Sequence, residues 1–149
     1  MRTDSRLSRM LHVLLHMAAE KEPVTSERVA RMLGTNAPVV RRTMAGLRKA
    51  GYVRSEKGHG GGWSIACDLR QVTLLDVRRA VGSDRIFAIG FDNDNPNCAV
   101  ERAVNASVSE AMQQAEAILT ERLRSVTLAD LARKFQVARG GIGTISSHL

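Results

Sequence analysis

The chain has 149 residues, 44% of them hydrophobic and 25% charged, a length that suits one domain or a compact head with an extension. Its 22 lysines and arginines outnumber 15 acidic residues, for a formal net charge of +7, and the excess is confined to residues 1–70, where 13 basic residues meet 6 acidic ones; residues 71–149 hold nine of each. That segregation is the footprint of one end facing a polyanion, while two cysteines exclude a secreted disulfide framework and no apolar run is long enough to cross a membrane.

Aromatic residues make up only 3% of the chain, so the core must be aliphatic and methionine-based, which favours helices. With no signal-peptide-like stretch, a cytoplasmic protein without membrane contact is expected.

Residues 5–20, SRLSRMLHVLLHMAAE, predict an opening helix with Leu7, Met10, Leu11, Leu14, Leu15 and Ala18 as its apolar face. His12 and His16 stand at metal-ligand spacing, but no third ligand accompanies them, and no metal site is expected. A charged linker broken by Pro23 follows. Ser26 to Leu33 then predicts a short helix with Val29, Ala30 and Leu33 on one face, Arg28 and Arg31 on the other, and Thr25 or Ser26 as cap. Gly34 ends it, Asn36 supplies a new N-cap, and Pro38 sits in the first turn of a second helix, where its missing N–H is harmless.

Two helices joined by about three residues have helix-turn-helix spacing. The second buries Val40, Met44 and Leu47 and leaves Val39, Arg41, Arg42 and Thr43 on the side that reaches base edges when such a helix enters a major groove. After Gly51 the period changes to two. Tyr52, Val53 and Arg54, then EKGHGGG, then Trp63 to Ala66 read as a hairpin, or wing, whose Arg54, Lys57 and His59 suit phosphate. A nucleotide-binding glycine loop would need a helix after the glycines, and GWSIA is strand-like. The DNA-contacting set expected from both parts is Ser26, Asn36, Pro38, Val39, Arg41, Arg42, Thr43, Arg54, Lys57 and His59.

The run LRKAGYVRSEKGHGGGWSIACDLRQVTLLDVRRAVG resembles the signature of the IscR/NsrR-type (Rrf-two) family of bacterial transcription regulators, over about residues 5 to 120. The resemblance implies a homodimeric regulator, often a repressor, whose members sense cluster status, nitric oxide, redox state or metabolite complexes. In cluster-binding relatives the connector after the winged head supplies three cysteine ligands. Here residues 83–97 are followed by Cys98 alone, so the chain is similar to the single-cysteine, cluster-free branch and no cofactor is expected.

Thr73 is expected to cap a helix over Leu74 to Val81 that closes the head, with Gly82 ending it. From Ala99 to about Arg124 the chain is free of Pro and Gly and carries an apolar stripe of Val100, Ala103, Val104, Val108, Ala111, Met112, Ala115, Ile118, Leu119 and Leu123. At 1.5 Å per residue such a helix spans nearly 40 Å, more than a small head covers, so a second chain is expected on it. Thr127 starts a short last helix, LADLARKF; the Gly/Ser-rich residues from 138 read as a disordered tail, and no internal repeat is evident.

The chain therefore reads as mainly α with a small β-hairpin wing: a winged helix-turn-helix domain over 1–82, a connector over 83–97, a dimerisation helix and short last helix over 98–137, and the tail. The function expected is a homodimeric regulator of double-stranded DNA at a palindromic operator, open to a small-molecule effector. The alternatives are a cofactor-bearing sensor on the same fold and, with no nucleophile–base pair, paired carboxylates or metal cluster in view, an enzyme. Cys98, just before a helix N-terminus, and Cys67, at the end of the wing, are the redox candidates.

Overall fold

The computed structural model describes residues 5–82 and 97–143. Among them run α1 (Arg6–Ala19), α2 (Ser26–Leu33), α3 (Ala37–Lys49), β1 (Val53–Glu56), β2 (Gly62–Ile65), α4 (Leu74–Ala80), α5 (Ala99–Ser125) and α6 (Leu128–Gly143). The expected 83–97 connector lies, apart from Asn97, outside the described residues. The architecture is the expected one, mainly helical with, among the described residues, a single antiparallel hairpin.

One core joins these elements. Met10, Val13, Leu14 and Met17 of α1 meet Val29 and Ala30 of α2, Val40, Met44 and Leu47 of α3, Val53 and Trp63 of the hairpin, Val77 of α4 and Leu128 of α6. The face that α1 buries is rotated from the one expected: Val13 and Met17 are buried, whereas Leu15 and Ala18 are half-buried. Because α1 is apolar around most of its circumference, what packs on it decides which side goes inward, and β2, α2, α4 and α6 all do.

Local chemistry sets the helix ends. The Thr25 hydroxyl accepts from the Arg28 N–H at 3.1 Å, Gly34 closes α2 in the left-handed region at φ 63°, and the Asn36 carboxamide oxygen accepts from the Val39 N–H at 3.1 Å. The hairpin pairs Val53 with Ile65, Arg54 with Ser64, Ser55 with Trp63 and Glu56 with Gly62, so β1 begins one residue later than the Tyr52–Arg54 strand expected, runs two residues further, and the loop shortens. Val24, ahead of α2, exchanges both backbone hydrogen bonds with Trp63, at 2.9 and 2.8 Å, and so adds a third extended segment to the wing.

Against the expectation of no internal repeat, the chain carries a near-repeated pentapeptide, Val72-Thr73-Leu74-Leu75-Asp76 and Val126-Thr127-Leu128-Ala129-Asp130, too short to stand out by period but structurally matched. Each forms a reciprocal capping box in which the threonine N–H donates to the aspartate carboxylate at 2.9 Å and the aspartate N–H donates to the threonine hydroxyl at 3.1 Å. The two boxes face each other across an antiparallel bridge, Leu74 N–H to Val126 carbonyl and Leu128 N–H to Val72 carbonyl, both 2.9 Å. α4 and α6 therefore start from one shared junction, with Leu128 fully buried beneath it. Thr127 and Thr73 cap as expected. α6, however, runs to Gly143, past the short helix and into the tail expected from 138: alanine and arginine favour helix, and an interior glycine costs only about 1 kcal/mol against alanine.

Two substitutions test this packing. A Cβ at Gly46 would lie 2.3 Å from the Ala80 carbonyl oxygen, so Gly46→Ala should destabilise by about 1–3 kcal/mol in chemical denaturation although alanine is the better helix former. Ser26→Ala should cost a similar ~1–3 kcal/mol, because the buried Trp63 Nε1–H now donates to the Ser26 hydroxyl at 2.9 Å and would lose its acceptor. A stability unchanged by either substitution would contradict the packing described.

Candidate nucleic-acid interface

The expected contact residues separate into those the fold exposes and those it employs elsewhere. Val39 (37% exposed), Arg41 and Arg42 occupy the N-terminal half of α3 with their side chains outside the core, while Val40, Met44 and Leu47 anchor its other side. Pro38 is exposed in the first turn, and Asn36 is exposed with its carboxamide committed to the α3 cap. The half-buried Thr43 donates its hydroxyl to the Val39 carbonyl at 2.9 Å and so lies along α3. Ser26 is the correction in this set. It is only 9% exposed, and its hydroxyl serves the Trp63 indole, because the residue opening α2 lies directly under β2.

Arg41 has a partner that the sequence did not disclose. Its Nη2 lies 3.5 Å from Oε1 of Glu27 in the first turn of α2, with both side chains more than half exposed. An exposed pair of this kind contributes at most about 1 kcal/mol, so it biases the guanidinium without locking it. Two further arginines link α2 to the chain before it: Arg9 of α1 donates to the carbonyl of Leu33, the last residue of α2, at 2.5 Å, and Arg28 of α2 pairs with Glu20, just after α1, at 2.5 Å. A guanidinium at a helix C-terminus also faces the negative end of the helix dipole.

The wing presents its basic residues to solvent. Arg54, Lys57 and His59 are all exposed, and Arg54 lies 3.5 Å from Glu56 on the same strand. The glycines answer to geometry: Gly58 and Gly60 have φ of 93° and 76°, and a Cβ on Gly61 would sit 2.3 Å from the Glu56 carbonyl oxygen. At Gly62 a side chain would meet the Val24 backbone at 2.6 Å, which is how the third extended segment comes close enough to pair.

Both cysteines are half-buried free thiols. Burial pushes the Cys67 pKa above its ordinary value, with the Asp68 carboxylate adding to the shift, so this thiol holds less thiolate at neutral pH than an exposed one. Cys98 occupies the N-cap position of α5 without making a side-chain cap. His12 and His16 stack with ring centroids 4.8 Å apart, and His16 also meets Phe135 edge-on at 5.9 Å. Among the described residues no group of three His, Cys, Asp or Glu side chains could hold a metal ion, and no helix is long and apolar enough to cross a membrane.

A family described as Rrf2, iron-dependent transcriptional regulator, matches residues 3–134. The HTH-type transcriptional regulator YwnA of Bacillus subtilis (strain 168) is 32% identical over 129 residues, covering 86% of this chain and 95% of that protein. Protein rrf2 of Nitratidesulfovibrio vulgaris is 26% identical, covering 98% of this chain and 95% of the relative. Among solved structures, T. potens IscR superposes with a TM-score of 0.58 at 25% identity, covering 93% of this chain and 90% of that one. CymR, the global cysteine regulator of B. subtilis, superposes at 0.62 and 20% identity, covering 90% and 98%.

The homologues are regulators rather than enzymes. Their family description names iron, but an iron–sulfur cluster takes four ligands, and this chain offers two thiols, one at the end of the wing and one at the start of α5, so its donor set does not fit a cluster. With the family match spanning most of the chain and the winged helix-turn-helix it implies in place, the chain belongs to the Rrf2 family of transcriptional regulators.

Proposed function

We propose that this chain is a homodimeric, sequence-specific repressor that lays α3 in the major groove of a palindromic operator and rests its wing on the adjoining phosphates. The observation that carries the reading is the exposed N-terminal half of α3, with Arg41 and Arg42, on a helix whose other side is locked into the core of the basic half of the chain. Arginine suits this position because its charge is permanent and its planar fork matches a guanine edge or a phosphate. Lys57, Arg54 and His59 add a sequence-independent attraction that weakens with salt. The cytoplasm is where such a protein meets its operator.

Dimerisation is assigned to α5, whose 27 residues include none that is buried, with Val100, Val104 and Ile118 more than half exposed. Two heads related by a two-fold axis then read two half-sites. The head over 1–82 and the α5–α6 extension over 98–137 act as reader and dimerisation element, joined where the two capping boxes meet.

For the signal, Cys98 is the candidate ahead of Cys67, whose raised pKa opposes oxidation through the thiolate. A small-molecule effector is the other reading of the signal, and the peroxide experiment below separates the two.

Arg41→Ala and Arg42→Ala should each weaken operator binding by about 1–3 kcal/mol in a fluorescence titration if the residue grips a base edge. A smaller loss, equal on random DNA and with a shallower salt dependence, assigns it to phosphate; unchanged binding by both variants removes α3 from the interface. For the thiols, mild peroxide should weaken operator binding by the wild type and leave Cys98→Ser unaffected. Cys67 should alkylate at neutral pH more slowly than an exposed model thiol, because its raised pKa withholds the thiolate until the solution is more basic. Equal, peroxide-insensitive binding by both proteins would point to the small-molecule effector.

A further inference from the structure

The corner where α5 ends and α6 begins gathers positive charge around an open space. A cleft of about 480 Å³ lies there, lined by Arg122 and Ser125 of α5, by Val126, and by Asp130, Arg133 and Lys134 of α6. Its carboxylate is already committed: Asp130 accepts from the Thr127 N–H at 2.9 Å in the capping box and pairs with Arg133. The Thr127 backbone hydrogen bond, with the charges of Arg133 and Lys134 adding to it, holds the Asp130 carboxyl below its ordinary range, so it is ionised at neutral pH. Arg122 and Lys134 pair with no carboxylate among the described residues, and Glu121, next to Arg122 in the chain, is held by Arg124 at 2.8 Å. Three cations against one carboxylate leave the cleft positive, within the half of the chain whose formal charges balance.

Attraction to a helix C-terminus accounts for Arg122 alone. Arg133 and Lys134 come from the second turn of the next helix, where their own helix offers no such attraction, and they share a cleft with Arg122 because the chain turns at Val126. Like charges gathered in this way repel one another, and a bound anion relieves the repulsion. We propose that the cleft binds a phosphorylated small molecule. This rests on the small-molecule reading of the signal and gives that effector a place and a chemical class. A phosphate monoester carries nearly two negative charges at neutral pH and three acceptor oxygens, which match the excess charge and the three cationic side chains; a monocarboxylate would leave one cation uncompensated. The volume lies within the range of about 300–1,000 Å³ usual for small-molecule sites, so the body that bears the phosphate also has room.

The position links binding to the rest of the fold. Val126, whose carbonyl accepts from the Leu74 N–H, and Asp130, a member of the second capping box, belong both to the cleft and to the junction from which α4 and α6 start. A phosphate held between Arg122 and Lys134 joins the end of α5 to α6 across that junction and competes with Asp130 for Arg133.

Phosphorus NMR titration of the full chain with inorganic phosphate, at constant ionic strength, tests this. The wild type should bind saturably, and Arg122→Gln and Lys134→Gln should each bind about tenfold more weakly, the loss expected of one charge-assisted hydrogen bond. Both side chains are exposed and outside any ion pair among the described residues, so the variants should melt with the wild type in the absence of phosphate. Saturating phosphate should change operator affinity about fivefold or more in the wild type and leave it unchanged in the variants. No saturable binding, or equal binding by wild type and both variants, overturns the site while the small-molecule reading stands. Succinate competing as strongly as phosphate overturns the phosphate class. If the variants lose operator affinity in phosphate-free buffer, the anion is a phosphate of the DNA and the small-molecule site falls. Phosphate that binds in the cleft without moving operator affinity leaves the site standing and overturns its role as the effector's seat.

Discussion

The reading head depends on the attachment of Trp63 to the chain ahead of α2. A two-stranded hairpin is barely stable by itself in water, and this one carries a five-residue loop rich in glycine. Val24 supplies a third extended segment through two backbone hydrogen bonds, and one residue beyond Thr25 the Ser26 hydroxyl accepts the indole N–H. Within three residues the chain thus ties the wing to the start of the helix-turn-helix, so the wing and α3 hold a fixed relation. Gly62 is the condition for that approach, because any side chain there would collide with the Val24 backbone.

Behind the head, the geometry is transmitted by helix starts rather than by loops. Thr73 and Thr127 cap their helices with the same reciprocal chemistry and pair with each other across the junction, so α4, which lies against α3, and α6, which lies against α1, begin at one rigid point. α5 packs on α4 and runs directly into that junction through Val126. α4 in turn lies against α3, where Gly46 approaches the Ala80 carbonyl too closely to admit a side chain.

Charge and apolar surface are divided in the same way. The basic excess lies in the head, and the long helix of the neutral half exposes valines and an isoleucine instead. In the proposed function, one surface attracts a polyanion and weakens with salt, and the other associates by removing apolar area from water and is little affected by it.

Much of this was legible in the sequence because the signals are local. The α2–turn–α3 unit was announced by a cap, a left-handed glycine, a second cap and a first-turn proline, each of which acts within a few residues, and the α5 boundaries follow from the absence of Pro and Gly. The basic exposed residues of α3 and the wing were legible for the same reason. Tertiary structure alone decided which side of the nearly all-apolar α1 goes inward, that Ser26 serves Trp63 thirty-seven residues away instead of solvent, that Glu27 stands beside Arg41, and that two capping boxes fifty-four residues apart form one junction. These are meetings between segments distant in the chain. Periodicity and capping preference carry no information about such meetings, because they record only how a residue suits its own helix or strand, whereas the partner across the core is chosen by shape and by the hydrogen bonds that burial leaves to be satisfied.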